Sequence, residues 1–220
     1  PVGSSDQGVG LGAGDIMVGV DMNYQFIDWA HDPTADEDFY HLGTLSSRVF
    51  VPRVVLGLHD WWNISIAQVI GIRSMTWGKD TTSVHHRPES SNSDFNNAHG
   101  GILGDTRLML RFLAANAGKG PGIRFFVGGG IVSPSDNTLT SDPFFLDESD
   151  IEQHRHFSMS EGVYRAVFET QLYLKRTKNP VFSGITYSIE EPLNTSKYGF
   201  KASRLQDVTL SMFTKNNKII

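Results

Sequence analysis

Two histidines carry the best metal-ligand spacing in the chain. His154 and His156 form a His-x-His pair in EQHRHF. In an extended strand this spacing puts both imidazoles on one face, as a metal site requires, and Glu152 has the same parity. The pair predicts either a metal or proton-sensitive site at the rim of a strand or a solvated loop end. We expect the solvated loop end, and therefore no bound metal.

Enzyme and cofactor motifs are incomplete in this sequence. GVGLGAG, residues 8–14, lacks the spacing of a dinucleotide loop, and Gly118-Lys119 lacks the following Ser or Thr of a phosphate loop. Ser158 and His156 are the nominal pair for a lipid-modifying enzyme, but no convincing orienting acid accompanies them. The absence of cysteine excludes a thiol nucleophile, a zinc finger and a disulfide framework. We expect neither catalysis nor a cofactor.

A set of charged residues alternates with apolar ones along the chain and could line the lumen of a barrel. Inside a barrel of about eight strands such residues must pair with one another or stay hydrated. In a wider barrel they would line a pore and favour anionic or polar solutes. The lumen candidates are Arg53, Arg73, Asp105, Arg107, Arg111, Arg165 and Glu169, and the partners available to the arginines include Asp21 and Glu161.

These charges belong to segments whose hydrophobicity has a period of two. From Ile16 to Phe26 every second residue is apolar, which is typical of a β-strand with one apolar and one polar face. Several segments reach 11 residues, whereas globular strands average about 5 to 6 and a tilted membrane strand needs about 9 to 11. The alternation recurs in eight segments, which are 16–26, 50–59, 62–73, 104–114, 122–132, 164–175, 181–190 and 200–213.

The connections between these segments alternate between long and short. Long links at 29–46, 77–101 and 133–155 are separated by short turns at Asp60, 114–121 and 177–180. Membrane barrels have short turns at one end and long loops at the other. We therefore predict one all-β domain, residues 1–220, that forms an antiparallel up-and-down transmembrane β-barrel of about eight or more strands. Residues 1–13 are expected to be a flexible N-terminal lead.

Composition narrows the classes of partner. The net charge of −5 argues against a nucleic-acid partner, and no apolar run is long enough for a transmembrane helix. The chain begins at Pro1 without a leader, which fits removal of a signal peptide. All four tryptophans, Trp29, Trp61, Trp62 and Trp77, fall near segment ends, where aromatic residues anchor membrane barrels in the lipid headgroups.

Two long runs resemble Gram-negative outer-membrane β-barrel proteins. VPRVVLGLHDWWNISIAQVIG and GDTRLMLRFLAANAGKGPGIRFFVGGGIVSPSDN are most like the transporter family associated with phenol-degradation (meta-pathway) gene clusters. The resemblance covers residues 47–137 and depends on Leu58 to Trp62, Gly104-Asp105 and Gly128 to Pro134. It implies a protein of the cell outer membrane that contacts the lipid bilayer. There it would act as a passive pore or transporter for small solutes, or as a structural membrane component.

The sequence departs from that family in two ways. The family's barrels usually have more than eight strands and normally end on an aromatic residue, whereas this chain has eight such segments and ends in TKNNKII. An incomplete barrel, a fragment, or a homo- or hetero-oligomer that supplies further strands is therefore left open.

The period-two pattern does not say which face points inward. If the apolar face points inward, the chain would be a soluble calyx that binds a small apolar ligand. Ile16, Val18, Phe112 and Phe168 would then line its cavity.

Overall fold

The protein is described by a computed structural model that covers residues 11–31, 41–77, 95–96, 101–117, 120–138, 158–197 and 199–215. These residues form an all-β antiparallel sheet that curls into a half-barrel. No helix long and apolar enough to cross a membrane occurs in this part of the chain. The strands are β1 (Ile16–His31), β2 (His41–His59), β3 (Trp62–Trp77), β4 (Phe95–Asn96), β5 (Leu103–Asn116), β6 (Gly122–Ser133), β7 (Arg165–Lys175), β8 (Phe182–Pro192) and β9 (Leu205–Phe213).

The topology is up-and-down. The sheet order is β1-β2-β3-β5-β6-β7-β8-β9, and every neighbouring pair is antiparallel, while the two-residue β4 pairs only with β3. This order confirms the predicted all-β, antiparallel architecture of eight main strands. β1 and β9 are the two edges, and within the described residues they are not hydrogen-bonded to each other.

The first strands are longer than the sequence pattern predicted. β2 has 19 residues and begins at His41, inside the link predicted at 29–46. Ser46 and Ser47 interrupt the apolar alternation there, yet they pair in register with Phe26 and Gln25 of β1. Main-chain pairing therefore extends a strand through a segment whose side chains give no strand signal. β4 likewise lies inside the loop predicted at 77–101.

The apolar row of each long strand points away from the concave face. On β1, the alternating residues Ile16, Val18 and Val20 are 67%, 68% and 58% exposed. The same outward row continues around the sheet, with one representative per strand between 37% and 75% exposed: Val18, Leu56, Ile66, Leu108, Ile131, Phe168, Ile185 and Leu210.

The buried residues lie on the opposite parity and include both apolar and polar side chains. One apolar cluster contains Met109, Val132 and Val167, and a second contains Leu113, Phe126 and Tyr173 with Phe182 packed against it. The Tyr173 ring covers Gly184, because a Cβ on that glycine would lie 2.4 Å from Tyr173 Cδ1. The concave face is therefore a packed interior with apolar layers, in addition to the charges predicted from the sequence.

The described part of the N-terminal lead contacts the short-turn end of the sheet. Gly12 N donates to Asp15 Oδ2 at 2.8 Å, and Ala13 N donates to Asp60 Oδ1 at 3.2 Å. Residues 1–10, the rest of the predicted flexible lead, lie outside the described residues.

Candidate functional site

A polar cavity of about 300 Å³ lies on the concave face. Its walls come from six strands, β2, β3, β5, β7, β8 and β9, so the sheet curls far enough for its two halves to face one space. The lining residues are Arg53, Ser65, Ala67, Arg107, Met109, Arg111, Glu169, Thr186, Ser188, Asp207 and Thr209.

A buried ion pair between Arg111 and Glu169 forms the centre of this cavity wall. Arg111 Nε lies 2.5 Å from Glu169 Oε1, and the side chains are only 6% and 9% exposed. The guanidinium also donates to Glu169 Oε2 at 3.3 Å and to Ser65 Oγ at 3.0 Å. A charge pair with such additional hydrogen bonds is one that a low-dielectric interior can accommodate.

The pair connects two strands that are not neighbours. Arg111 on β5 and Glu169 on β7 both stand opposite Gly128 of β6 in the ladder. A Cβ on Gly128 would lie 3.1 Å from Arg111 Cγ and 3.6 Å from Glu169 Cβ. The glycine therefore provides the space through which the arginine side chain reaches across β6.

A chain of hydrogen bonds through uncharged side chains continues from Glu169 toward the short-turn end. Gln171 Nε2 donates to Glu169 Oε1 at 2.7 Å, and Tyr173 OH donates to Gln171 Oε1 at 3.1 Å. Tyr173 OH also lies 3.4 Å from Thr186 Oγ1. The buried polar groups are thus linked in a network, which makes their burial tolerable and their geometry defined.

The other two arginines in the cavity wall also contact carboxylates. Arg53 NH2 lies 2.9 Å from Asp21 Oδ2 on the neighbouring strand. Arg107 on β5 forms a salt bridge with Glu190 on β8, although β6 and β7 lie between them in the sheet. Each guanidinium of the cavity is therefore matched by a negative charge, so the space suits small polar solutes better than it suits anions alone.

The structure divides the seven predicted lumen residues into two groups. Arg53, Arg107, Arg111 and Glu169 line the cavity. The other three lie toward the long-loop end: Arg73 NH1 donates to Ser158 O at 2.6 Å, Asp105 Oδ1 accepts from Ser135 N at 3.2 Å, and Arg165 pairs with Glu161. The structure pairs Arg111 with Glu169 and Arg165 with Glu161, two combinations that the sequence did not specify.

The chain matches no protein-family model, no curated protein and no solved structure. The resemblance to outer-membrane transporters therefore stays a hypothesis drawn from short motifs.

The predicted histidine pair is not part of this geometry. His154 and His156 lie outside the described residues. Among the residues that the structure describes, no group of three or more His, Cys, Asp or Glu side chains could hold a metal ion.

Several cavity residues were not singled out from the sequence. Glu190 and the hydroxyl residues of β8 share a parity opposite to the exposed Ile185, so the period-two pattern contained the signal. The hydroxyl residues give no further signal, because serine and threonine are compatible with either face of a strand. The missed lining residues are Ser65, Ala67, Met109, Thr186, Ser188, Asp207 and Thr209, with Glu190 behind them.

Proposed function

We propose that this chain is a transmembrane β-barrel of outer-membrane type whose lumen is a narrow passive pore for small polar solutes. One observation carries the proposal. Every long strand exposes its apolar row on the outside, while ion pairs such as Arg111–Glu169 are buried on the concave side. This is the distribution of a barrel in lipid, in which apolar residues face outward and polar residues face the lumen.

The arrangement disfavours a calyx for an apolar ligand. Ile16, Val18 and Phe168, three of the residues that would line such a calyx, are 67%, 68% and 46% exposed. The fourth, Phe112, packs against Trp62 with ring centroids 4.7 Å apart and does not line the cavity. Contiguous exposed apolar surface on a soluble protein would be unfavourable unless a membrane or a partner covered it.

Strand length and aromatic placement support the same proposal. The long strands have between 9 and 19 residues, which is enough for tilted strands to span a hydrocarbon core. Trp61 and Trp62 are 43% and 41% exposed at the turn between β2 and β3. Exposed indole rings at a strand end fit the headgroup region of a bilayer.

A barrel in lipid also needs closed edges, because unpaired backbone groups in hydrocarbon cost several kcal/mol each. With eight long strands in an up-and-down order, β1 and β9 run antiparallel. We infer that these two edges pair with each other in the membrane. The inner residues Met109, Arg111 and Gln171 are already 1%, 5% and 2% exposed, while a cavity of about 300 Å³ remains open on the concave face.

We further propose that the protein lies in the cell outer membrane and functions like the phenol-degradation-associated transporters that its sequence resembles. This extension depends on residues 47–137 alone, in which the motifs Gly104-Asp105 and Gly128 to Pro134 occur. Pairing of β1 and β9 with a second copy of the chain is the alternative to self-closure, and disulfide cross-linking between these strands distinguishes the two.

The direct test is reconstitution of the full chain into phosphatidylcholine vesicles. We expect detergent-dependent solubility, β-sheet circular dichroism in lipid, protection from added protease, and vesicle swelling in arabinose that exceeds swelling in raffinose. Insertion without any swelling would favour a structural membrane role over a pore. A monodisperse protein in water without detergent would contradict the proposal and favour the soluble calyx.

A further inference from the structure

A short segment before β7 folds over the long-loop end of the lumen. This plug segment, residues 158–163, precedes Arg165, the first residue of β7, yet it contacts β3 and β5 on the far side of β6. Val163 and Ser160 are only 1% and 7% exposed. A connection buried to this degree is packed into the barrel mouth instead of extending into solvent.

Met159 is the residue through which the plug segment reaches the opposite strands. A Cβ on Gly71 of β3 would lie 2.7 Å from Met159 Cε, and a Cβ on Gly104 of β5 would lie 3.1 Å from Met159 Cβ. Both glycines are buried and adjoin outward-facing residues, Ile72 and Leu103, so they open onto the concave face. The thioether side chain fills the space that these two glycines leave.

Asn137, four residues after the end of β6, holds the plug segment in place through hydrogen bonds. This residue is 0% exposed, and its main-chain oxygen accepts from Met159 N at 3.1 Å and from Ser160 N at 3.0 Å. Its Oδ1 also accepts from Met159 N at 3.1 Å, while Nδ2 donates to Gly101 O. One side chain thus joins the segments before β5 and before β7.

Two more contacts hold the ends of the plug segment. Ser158 O accepts from Arg73 of β3 at 2.6 Å. At the other end, Gly162 has φ of +72°, and a Cβ there would lie 2.8 Å from Thr138 Oγ1. Positive φ and close approach together require glycine at this bend.

The plug segment lies at the end of the cavity without forming its wall. The cavity is lined by strand residues such as Arg53 and Arg107, and none of its lining residues belongs to 158–163. We propose that the plug segment is the constriction that limits solute passage, and that Asn137 and Met159 set its position. This inference depends on the pore function proposed above. The cavity residues then provide the polar path behind this constriction.

The first experiment releases the plug segment. Asn137→Ala removes the side-chain bonds to Met159 N and Gly101 O, and we expect a severalfold rise in single-channel potassium chloride conductance in planar bilayers. Asn194→Ala is the matched control, because Asn194 is an exposed asparagine of the same end that accepts from Tyr164 N at 2.7 Å. Its conductance should equal that of the wild type. Equal conductance for Asn137→Ala in a correctly inserted barrel would overturn the inference.

The second experiment locks the released plug segment. The chain contains no cysteine, and the Gly104 and Met159 Cβ positions are 3.1 Å apart, so a shift of a few tenths of an ångström brings them to the Cβ–Cβ distance of a disulfide, about 3.5–4.5 Å. Gly104→Cys and Met159→Cys are therefore added to Asn137→Ala, with Val69→Gly to remove the approaches of Val69 Cγ1 at 2.7 Å and Val69 Cβ at 2.9 Å to the new Cβ. Oxidation should lower the conductance toward the wild-type value, and reductant should raise it again.

The outcomes separate this inference from the proposed function. The plug inference alone is contradicted if the barrel inserts and resists protease, but its conductance changes neither with Asn137→Ala nor with the redox state of the cysteine pair. A chain that never enters the bilayer contradicts the membrane proposal itself. A reductant-reversible change cannot come from misfolding, because the same folded molecules are measured in both states.

Discussion

Arg111 of β5 reaches Glu169 of β7 across Gly128 of β6, and its Nε lies 2.5 Å from the carboxylate. The contact joins β5 and β7, the two strands that flank β6, and both charges are buried. It depends equally on the two ionic side chains and on the lack of a side chain between them. The ion pair and the glycine are therefore one structural unit.

Filling the space at Gly128 should break that unit. Gly128→Val places a branched side chain where a single Cβ already lies 3.1 Å from Arg111 Cγ. We expect the free energy of unfolding to fall by about 1–3 kcal/mol, as in other overpacked interiors. The measurement is the urea midpoint of the barrel in detergent. Gly129→Val is the control, because a Cβ on Gly129 meets only Val167 O, at 3.9 Å, and equal losses for both variants would contradict this account.

Removing one charge should cost more than neutralising both. Arg111→Met leaves the buried Glu169 carboxylate without its counter-charge, and Glu169→Gln takes away the negative charge that faces Arg111, so each should lower the free energy of unfolding by about 3–5 kcal/mol. The double variant should lose less than either single variant, in a double-mutant cycle followed by urea unfolding. Arg204→Met is the control, since the Arg204–Glu191 pair is 55% and 49% exposed, and it should change little. Strict additivity would argue against a coupled buried pair.

A lysine on the outward face should prevent assembly in lipid. Leu110 lies in the middle of β5 and is 42% exposed, so Leu110→Lys would put a charge into hydrocarbon at a cost of about 2–4 kcal/mol. Ala114→Lys, near the end of the same strand and also exposed, should be tolerated. The measurement is the fraction of each variant that folds into phosphatidylcholine vesicles. If both lysines were harmless, as at exposed sites of a water-soluble protein, the outward face would not be a lipid face.

Engineered cysteines can show whether β1 and β9 close the barrel. Thr209→Cys on β9 is combined, one at a time, with cysteine at Gly19, Asp21, Asn23 or Gln25, which share the inner parity of β1. Self-closure predicts an intramolecular disulfide at one register, detected as a shifted monomer band on a non-reducing gel. Covalent dimers in place of that band would show that a second copy fills the edge. Thr209→Cys alone is the control for random coupling.

The sequence predicted which residues of a strand share a face better than it predicted which residues of different strands come into contact. Alternation in β1 separates the row containing Val18 from the row containing Asp21, and the structure places these rows on opposite faces. Period two is a property of the extended backbone, so it needs no knowledge of the rest of the fold. It does not identify the inner face, which depends on the sense in which the sheet curls.

Contacts between distant strands could not be predicted in the same way. Arg107 and Glu190 meet only because the curl of the sheet brings β5 toward β8. Arg73 contacts Ser158 only because the plug segment folds back onto β3. Asn137 lies in a connection with no hydrophobic period, yet it is completely buried. Such residues owe their role to tertiary hydrogen bonds, for which a sequence pattern carries no local signal.

The central claim is the orientation of the two faces, and spin labels can measure it residue by residue. Single cysteines on the outward row at Val18, Leu110 and Val208, and on the inner face at Asp21, Ser65 and Thr209, would be labelled in the vesicle-reconstituted protein. Their accessibility to oxygen and to a water-soluble nickel complex would then be compared. We predict that the outward labels are accessible to oxygen and shielded from nickel, while the inner labels do not show this lipid-like profile. Outward labels that collide freely with nickel would contradict the membrane barrel.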